Sequence, residues 1–264
     1  MKQERPDVVL VARNGATCVV TMNRPEARNA LTREVLARLR GAFDAAAADA
    51  SVRCVVLTGA GGHFCSGADL RQTLLEDPQL LQHLEVYMDE FHALIHAVIR
   101  CTKPVVAMMD GAAVGFGSDL AFACDLRVAS RRAYVQEKFV HIGLMPDGGG
   151  SFWLPRLVGT ARAMKMIMLA EKVTAEQLEG LGVLAGLTDP DTLEATTFAV
   201  ARRLEAGPPL AFAAIKRAVY ASLGSVEDAL RREREEQLRL LRSADVMEGV
   251  SAWMEKREPR FQGR

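Results

Sequence analysis

The chain has 264 residues, 49% hydrophobic and 25% charged, enough to bury a substantial core in one domain with room for a small appendage. Lys+Arg and Asp+Glu both number 33, so the formal net charge is zero, which argues against a dedicated nucleic-acid binder while leaving space for a local basic patch. No uncharged apolar stretch reaches the roughly 18 residues of a membrane helix, and the opening MKQERPD does not read as a secretory leader.

Two alternating stretches, Val8 to Ala12 and Ala16 to Met22, flank Asn14-Gly15 and predict an antiparallel hairpin. A polar loop with Arg24 and Arg28 follows. Thr32 then caps a helix expected from Val35 to about Ala48, with Leu36, Leu39, Ala42 and Phe43 on its apolar face. Val52 to Thr58 reads as a buried strand that empties into the Gly-rich segment Gly59 to Leu70. That segment lacks the Gly-Lys-Ser/Thr ending of a P-loop, and no G-x-G-x-x-G follows the first strand, so neither an ATPase nor a nicotinamide-binding fold leads.

A helix is predicted over Pro78 to Arg100, with Leu80, Leu81, Leu84, Met88, Phe91, Leu94, Ile95 and Val98 at helical spacing. His92 and His96 share a face on it. No intervening acid and no third ligand accompany them, so surface or hydrogen-bonded histidines are expected and no metal site is assigned. The five cysteines (Cys18, Cys54, Cys65, Cys101 and Cys124) lie in or beside apolar runs without ligand spacing. Reduced, buried thiols and a cytoplasmic location are the expectation, and a nucleophilic Cys65 is the lesser reading.

The most informative stretch is Thr102 to Val158. Val105 to Met109 reads as a buried strand, Asp110-Gly111 as a turn, and Gly115 to Gly117 as a bend ahead of a helix opening at Ser118-Asp119-Leu120. Free N–H groups at such a start attract charge developing on a reacting oxygen. A second strand-then-glycine bend at Gly59 to Ala68 can bring another donor to the same point. Met145 to Gly150 adds Asp147 at a bend whose glycines permit close approach. Asp119 and Asp147 beside donor-rich bends make an acid–base site. Alternatively, Asp119 is a helix N-terminal acid and Asp147 a turn residue.

Further on, Asp125 to Ala129 predicts a strand, Tyr134 to Gly143 a strand or loop, and Ala161 to Ala170 an apolar helix whose methionines are core. Thr174 to Gln177 looks like a cap and first turn; Gly180 to Leu184 fits a helix end followed by a short strand. A helix after Thr192 runs to about Glu205, and Gly207-Pro208-Pro209 breaks it. The division expected is therefore 1–206 and 207–264, the latter holding helices over Leu210 to Ser222 and Val226 to Lys256. The last carries Leu230, Leu238, Leu240, Leu241, Val246, Met247, Val250 and Trp253 among many charges, and must cover its own core or a partner subunit.

Taken together, NRPEARNAL, HFCSGADL, KPVVAMMDGAAVGFGSDLAFACDLRVAS, IGLMPDGGG, LPRLVG and the ending EKREPRFQGR resemble the crotonase (enoyl-CoA hydratase/isomerase) superfamily over nearly the whole chain. The resemblance implies an α/β fold, a spiral of repeated strand–strand–helix units, with C-terminal helices used for oligomerisation as a trimer or a dimer of trimers. It also implies an acyl-CoA thioester substrate, with coenzyme A part of the substrate and no separate cofactor, and neither nucleic acid nor membrane as partner. By motif position the thioester oxygen is held by the N–H groups of Ala68 and Phe116, where Phe116 replaces a common glycine and its ring narrows the acyl pocket. Arg24, Arg28 and Ala30, with Ala68, Asp69 and Leu70, match the CoA-cradling segments; Arg24 or Arg28 suits phosphate charge, against a reading of both as solvated loop arginines.

Two departures shape the expected reaction. The resemblance puts the family's first catalytic glutamate on Asp119 and the second near Phe139, within Gln136 to Val140; Phe139 transfers no proton, and Glu137, two positions away, is expected to point elsewhere unless the local register differs. Asp147 resembles the acid of phenylacetyl-CoA-pathway isomerases and some 3-enoyl-CoA isomerases. The resemblance thus implies double-bond migration through an enolate, Asp147 moving the proton and Asp119 orienting it, holding a water or acting as a second acid–base group. Reversible hydration of a 2-enoyl-CoA is the alternative within the family. Dehalogenation, which needs an aromatic pocket, and a noncatalytic RNA-binding or scaffold role stand further off.

Overall fold

A computed structural model describes residues 7–72, 80–221 and 243–264. Its chain begins with the expected hairpin, β1 (Val9–Asn14) and β2 (Thr17–Met22), antiparallel with Asn14 opposite Thr17. From there β2, β3 (Cys54–Gly59), β4 (Val105–Met109), β6 (Leu126–Ser130) and β9 (Gly186–Thr188) pair in parallel, giving a six-stranded sheet in the order β1-β2-β3-β4-β6-β9. A smaller sheet joins β5 (Ala112–Val114), β7 (Tyr134–Gln136) and β8 (Val173–Thr174).

The two sheets explain the spiral. After β4 the chain crosses to β5, enters helix α3 (Phe116–Ala123), returns through β6 and crosses again to β7. Each turn therefore lays one strand in each sheet before a helix. An isolated bridge from Cys65 to Ala113 ties the segment after β3 to the same small sheet.

Strands buried on both faces read as continuous apolar runs, and alternation sorts their side chains. Val55, Leu57, Val105 and Ala107 face the main core, which α1 (Arg33–Ala48) closes with Leu36, Leu39 and Phe43 and α2 (Leu80–Arg100) with Phe91, Leu94 and Val98. Cys54, Val56, Val106 and Val128 face the other way, onto Leu193, Phe198 and Ala201 of α7 (Leu193–Glu205). Each buried Val, Leu or Phe among them contributes about 1.5–3 kcal/mol by leaving water. The Thr32 hydroxyl caps α1 by accepting from Val35 N at 3.3 Å.

Between β7 and β8 lie α4 (Gly150–Val158) and α5 (Thr160–Met168). A capping box of Thr174 and Gln177 starts α6 (Ala175–Gly180). The short strand expected at Val183-Leu184 begins instead at Gly186, because Gly182 (φ 71°) and Val183, whose N–H donates to Leu178 O, are spent closing α6. Beyond the Gly207 break, α8 covers Pro209–Ala221 and α9 covers Ala244–Glu255.

The single helix expected over Val226 to Lys256 is not formed as such: Ser243 is a bend and α9 starts after it. There the final carbonyl, Arg264 O, accepts from Ala244 and Asp245 N–H, and the Asp245 carboxylate accepts from Gln262 and Gly263, so the folded-back tail satisfies the first turn of α9. The start predicted at Pro78, and Leu230, Leu238, Leu240 and Leu241, lie outside the described residues.

Candidate active site

Two loops build the donor side. The segment after β3 and the β4–β5 crossover are laced by backbone bonds: Phe64 N and Cys65 N donate to Ala112 O, and Val114 N donates to Cys65 O at 2.9 Å. Gly67 sits where they meet, with φ 93°; a Cβ there would lie 2.8 Å from Val114 O and 3.4 Å from Phe116 N. No side chain fits that contact. Leu31 N donates to Gly67 O and Asp69 N to Leu31 O, which presents Ala68 N between them. Phe116 N opens α3, where N–H groups have no intrahelical acceptor. Neither Ala68 N nor Phe116 N has a backbone acceptor among the described residues.

The acid side is built from side chains. Asp119 is fully buried in the first turn of α3, and its Oδ2 accepts from Gly148 N at 2.8 Å. A Cβ on Gly150 would lie 2.3 Å from Asp119 Oδ1, so the glycines of the Pro146–Gly150 bend admit this carboxylate. Asp147, one residue before Gly148, is half-buried; its backbone carbonyl lies 3.0 Å from His92 Nε2 of α2. The Phe116 ring packs edge-on against Phe91 at 4.7 Å and reaches the Gly148 backbone, which puts it beneath the bend.

Glu137 corrects the sequence expectation. It is 1% exposed, and its Oε1 accepts from Ser118 Oγ at 2.7 Å. β7 ends at Gln136, and Glu137 turns the chain (φ −84°, ψ 80°) into a short 3-10 helix over Lys138–Ile142. Burial still alternates through this turn, so Glu137 and Phe139 are both buried while Lys138 between them is exposed. Of the five buried side-chain N or O atoms without a hydrogen-bond partner among the described residues, three are Asp119 Oδ1, Glu137 Oε2 and Asp147 Oδ1. Unsatisfied buried acceptors gathered in one place mark a functional site.

Electrostatics point the same way. Burial, then the charges of Glu137 and Asp147, hold Asp119 well above the usual carboxylate range, against the Gly148 N–H. Burial pushes Glu137 up to about 7 against the pull of Ser118, with Asp147 adding to the rise. Asp147 is pushed up to about 6, mainly by burial, with His92 opposing. Cys65 is fully buried, its thiol pushed up to about 12 by desolvation, which removes it as a nucleophile.

On the CoA-cradling side, Arg24 is committed within the loop: its Nη1 donates to Ala30 O at 2.7 Å and Asp69 Oδ2 at 3.0 Å. Ala30 is buried, Leu70 is exposed, and Arg28 is exposed with a left-handed backbone (φ 49°). The loop ending at Asp69 is thereby braced beside Ala68. The His92 contact and the Ser118–Glu137 pair escaped the sequence reading. A serine beside Asp119 on a buried helix, and a glutamate directly after a strand, are the signals that mark the second.

Two sheets of mainly parallel strands, with backbone donors and carboxyls meeting at a helix start, form an α/β frame suited to acid–base chemistry. A family model described as enoyl-CoA hydratase/isomerase matches residues 12–264, and the chain belongs to that family. A protein described as "Probable enoyl-CoA hydratase" from Rhodobacter capsulatus is 42% identical over 93% of this chain and 94% of its own length. The 1,2-epoxyphenylacetyl-CoA isomerase of Escherichia coli is 36% identical over the same shares. A crystal structure of an enoyl-CoA hydratase from Polaromonas sp. JS666 superposes with a TM-score of 0.91 at 32% identity, covering 96% of this chain and 99% of that one. Among the described residues no helix is long and apolar enough to cross a membrane.

Proposed function

We propose that the protein shifts the double bond of an enoyl-CoA thioester, with Asp147 as the base. Asp147 takes a proton from the carbon alpha to the thioester and returns it to the gamma carbon, while Ala68 N–H and Phe116 N–H hold the oxygen of the enolate formed between the two transfers. The observation that carries this is the unpartnered, buried Oδ1 of Asp147 on a bend that Asp119 holds through Gly148 N. A value near 6 suits both removal and return of a proton. Asp119 acts through the bend: buried and bonded, it orients Asp147.

CoA would lie along residues 24–30 and 68–70, its phosphates met by the exposed Arg28, with no separate cofactor. The C-terminal region expected over 207–264 serves oligomerisation in this reading, as a trimer or dimer of trimers. Exposed Met145, Met164, Met168 and Leu169 support a partner subunit. Five free, buried cysteines fit a cytoplasmic location.

Hydration is the second reading, favoured by one observation: more than one carboxyl lies in the site. Paired absorbance assays separate the two. Purified protein given a 3-enoyl-CoA should raise the conjugated-thioester signal, and given a 2-enoyl-CoA should leave it intact. Loss of conjugation from the second substrate, with 3-hydroxyacyl-CoA appearing, replaces isomerisation by hydration.

A further inference from the structure

Three carboxyls share one buried site, and the proposed shuttle uses the charge of only one. Ser118 Oγ fixes Glu137 at 2.7 Å through Oε1, leaving Oε2 buried without a partner among the described residues. Ser118 and Asp119 are neighbours on α3, so one helix turn positions both acids. From the bend, Asp147 contributes a third carboxyl with its own unpartnered oxygen. The charged or titratable groups facing Glu137 and its partners are Asp119 of α3, Asp147 of the bend and His92 of α2, which touches the Asp147 carbonyl.

We propose that Glu137 is a positioning residue that works in its protonated form, keeping its own negative charge away from the charge that moves between Asp147 and the substrate enolate. This rests on the isomerase reading given above. When Asp147 removes the alpha proton it becomes neutral and the enolate becomes negative; when it returns the proton to the gamma carbon the charge comes back to Asp147, so the protons balance. An ionised Glu137 would oppose the enolate at the first step through a medium that screens poorly. Its tendency to hold a proton near neutrality fits this role. The glutamate also differs from Phe139 in what it supplies: Phe139 gives the site an apolar wall near Gly115, and Glu137 gives a carboxyl that can hold its proton.

The test is a set of pH profiles of kcat/KM with 3-hexenoyl-CoA for wild type, Glu137→Gln and Ser118→Ala, each checked for folding by circular dichroism. Wild type should lose activity on the alkaline side as Glu137 ionises. Glutamine cannot ionise, so in Glu137→Gln that limb should move up by about one pH unit or more. In Ser118→Ala, which removes the donor that favours the ionised form, it should move the same way by less. Limbs that coincide in all three proteins while overall rates fall would overturn the inference and leave Glu137 a packing residue. A readout without turnover separates this from failure of the isomerase reading. Difference infrared spectra in deuterated water should show a protonated-carboxyl band in wild type that titrates near neutral pH and is missing in Glu137→Gln. Failure of wild type to convert 3-hexenoyl-CoA overturns the isomerase reading; absence of that band overturns the role of Glu137.

Discussion

The donor side and the acid side of the site meet at α3 but are held by different means. Around Ala68 and Phe116 the contacts are backbone to backbone: Cys65 and Val114 pair, Leu31 clasps Gly67 and Asp69, and Gly67 admits Val114 O. Around Asp147 the contacts run through side chains: Asp119 holds Gly148, His92 reaches the Asp147 carbonyl, and Ser118 holds Glu137. Donors built from peptide groups do not titrate and tolerate side-chain change except where glycine is required. Acids built from carboxyls respond to pH and to every neighbour that moves them. Phe116 illustrates the first case: its ring is turned onto Phe91 while its N–H opens α3.

Paired glycine substitutions sharpen this contrast and carry the largest of the effects expected here. Gly67→Ala places a methyl 2.8 Å from Val114 O at a φ of 93°, displacing a donor; loss of one such donor costs about 100- to 1,000-fold in kcat. Its pH profile should keep the wild-type shape. Gly150→Ala places a methyl 2.3 Å from Asp119 Oδ1, and a displacement of that order costs about 100-fold. Here the pH profile should also shift, because the carboxyls themselves have moved. Profiles altered in Gly67→Ala and unaltered in Gly150→Ala would break the comparison.

Stability should carry the same signature. Carboxyls whose folded values are raised contribute stability that is present below their unfolded values and is lost as pH rises through the folded ones. For this site the loss runs through about 6 for Asp147 and about 7 for Glu137. Calorimetry should therefore show a melting temperature that falls by a few degrees between about pH 4 and pH 7. Asp119→Asn, which removes one of the three clustered carboxyls, should flatten that fall.

The smallest effect expected is at the periphery. Arg28→Ala should raise KM for a CoA ester by about threefold, the scale of an exposed ion pair, with little change in kcat and weaker dependence on salt. Steady-state kinetics at two salt concentrations check it. A fall in kcat without a change in KM would place Arg28 outside the CoA path.

Most of the fold can be read in the sequence because its signals are local. Continuous apolar runs at Val55–Leu57 and Val105–Met109 announce buried parallel strands, Thr32 and Thr174 announce helix starts, and Asn14-Gly15 announces a hairpin. Ala68, Phe116, Asp119 and Asp147 stand out as candidates in the same way, since each sits in or beside a Gly-rich bend. Glu137 does not, because the group that holds it, Ser118 Oγ, comes from α3 nineteen residues earlier in the chain. Ser243 interrupts the last predicted helix for a similar reason: the partner that favours the break is the chain's own end, Arg264, brought back by the fold. Arg24 looked available for a phosphate, and its acceptors, Ala30 O and Asp69, come partly from a loop forty-five residues on.

Single-turnover absorbance of a 3-enoyl-CoA with wild type and Asp147→Asn, matched for folding and for CoA-ester binding, tests the assigned base most directly. Wild type should form the conjugated thioester, and Asp147→Asn should be slower by about 1,000-fold, within the range for loss of a general base. An Asp147→Asn protein that binds the ester and converts it within tenfold of wild type would contradict the assignment and return Asp147 to a residue of the turn.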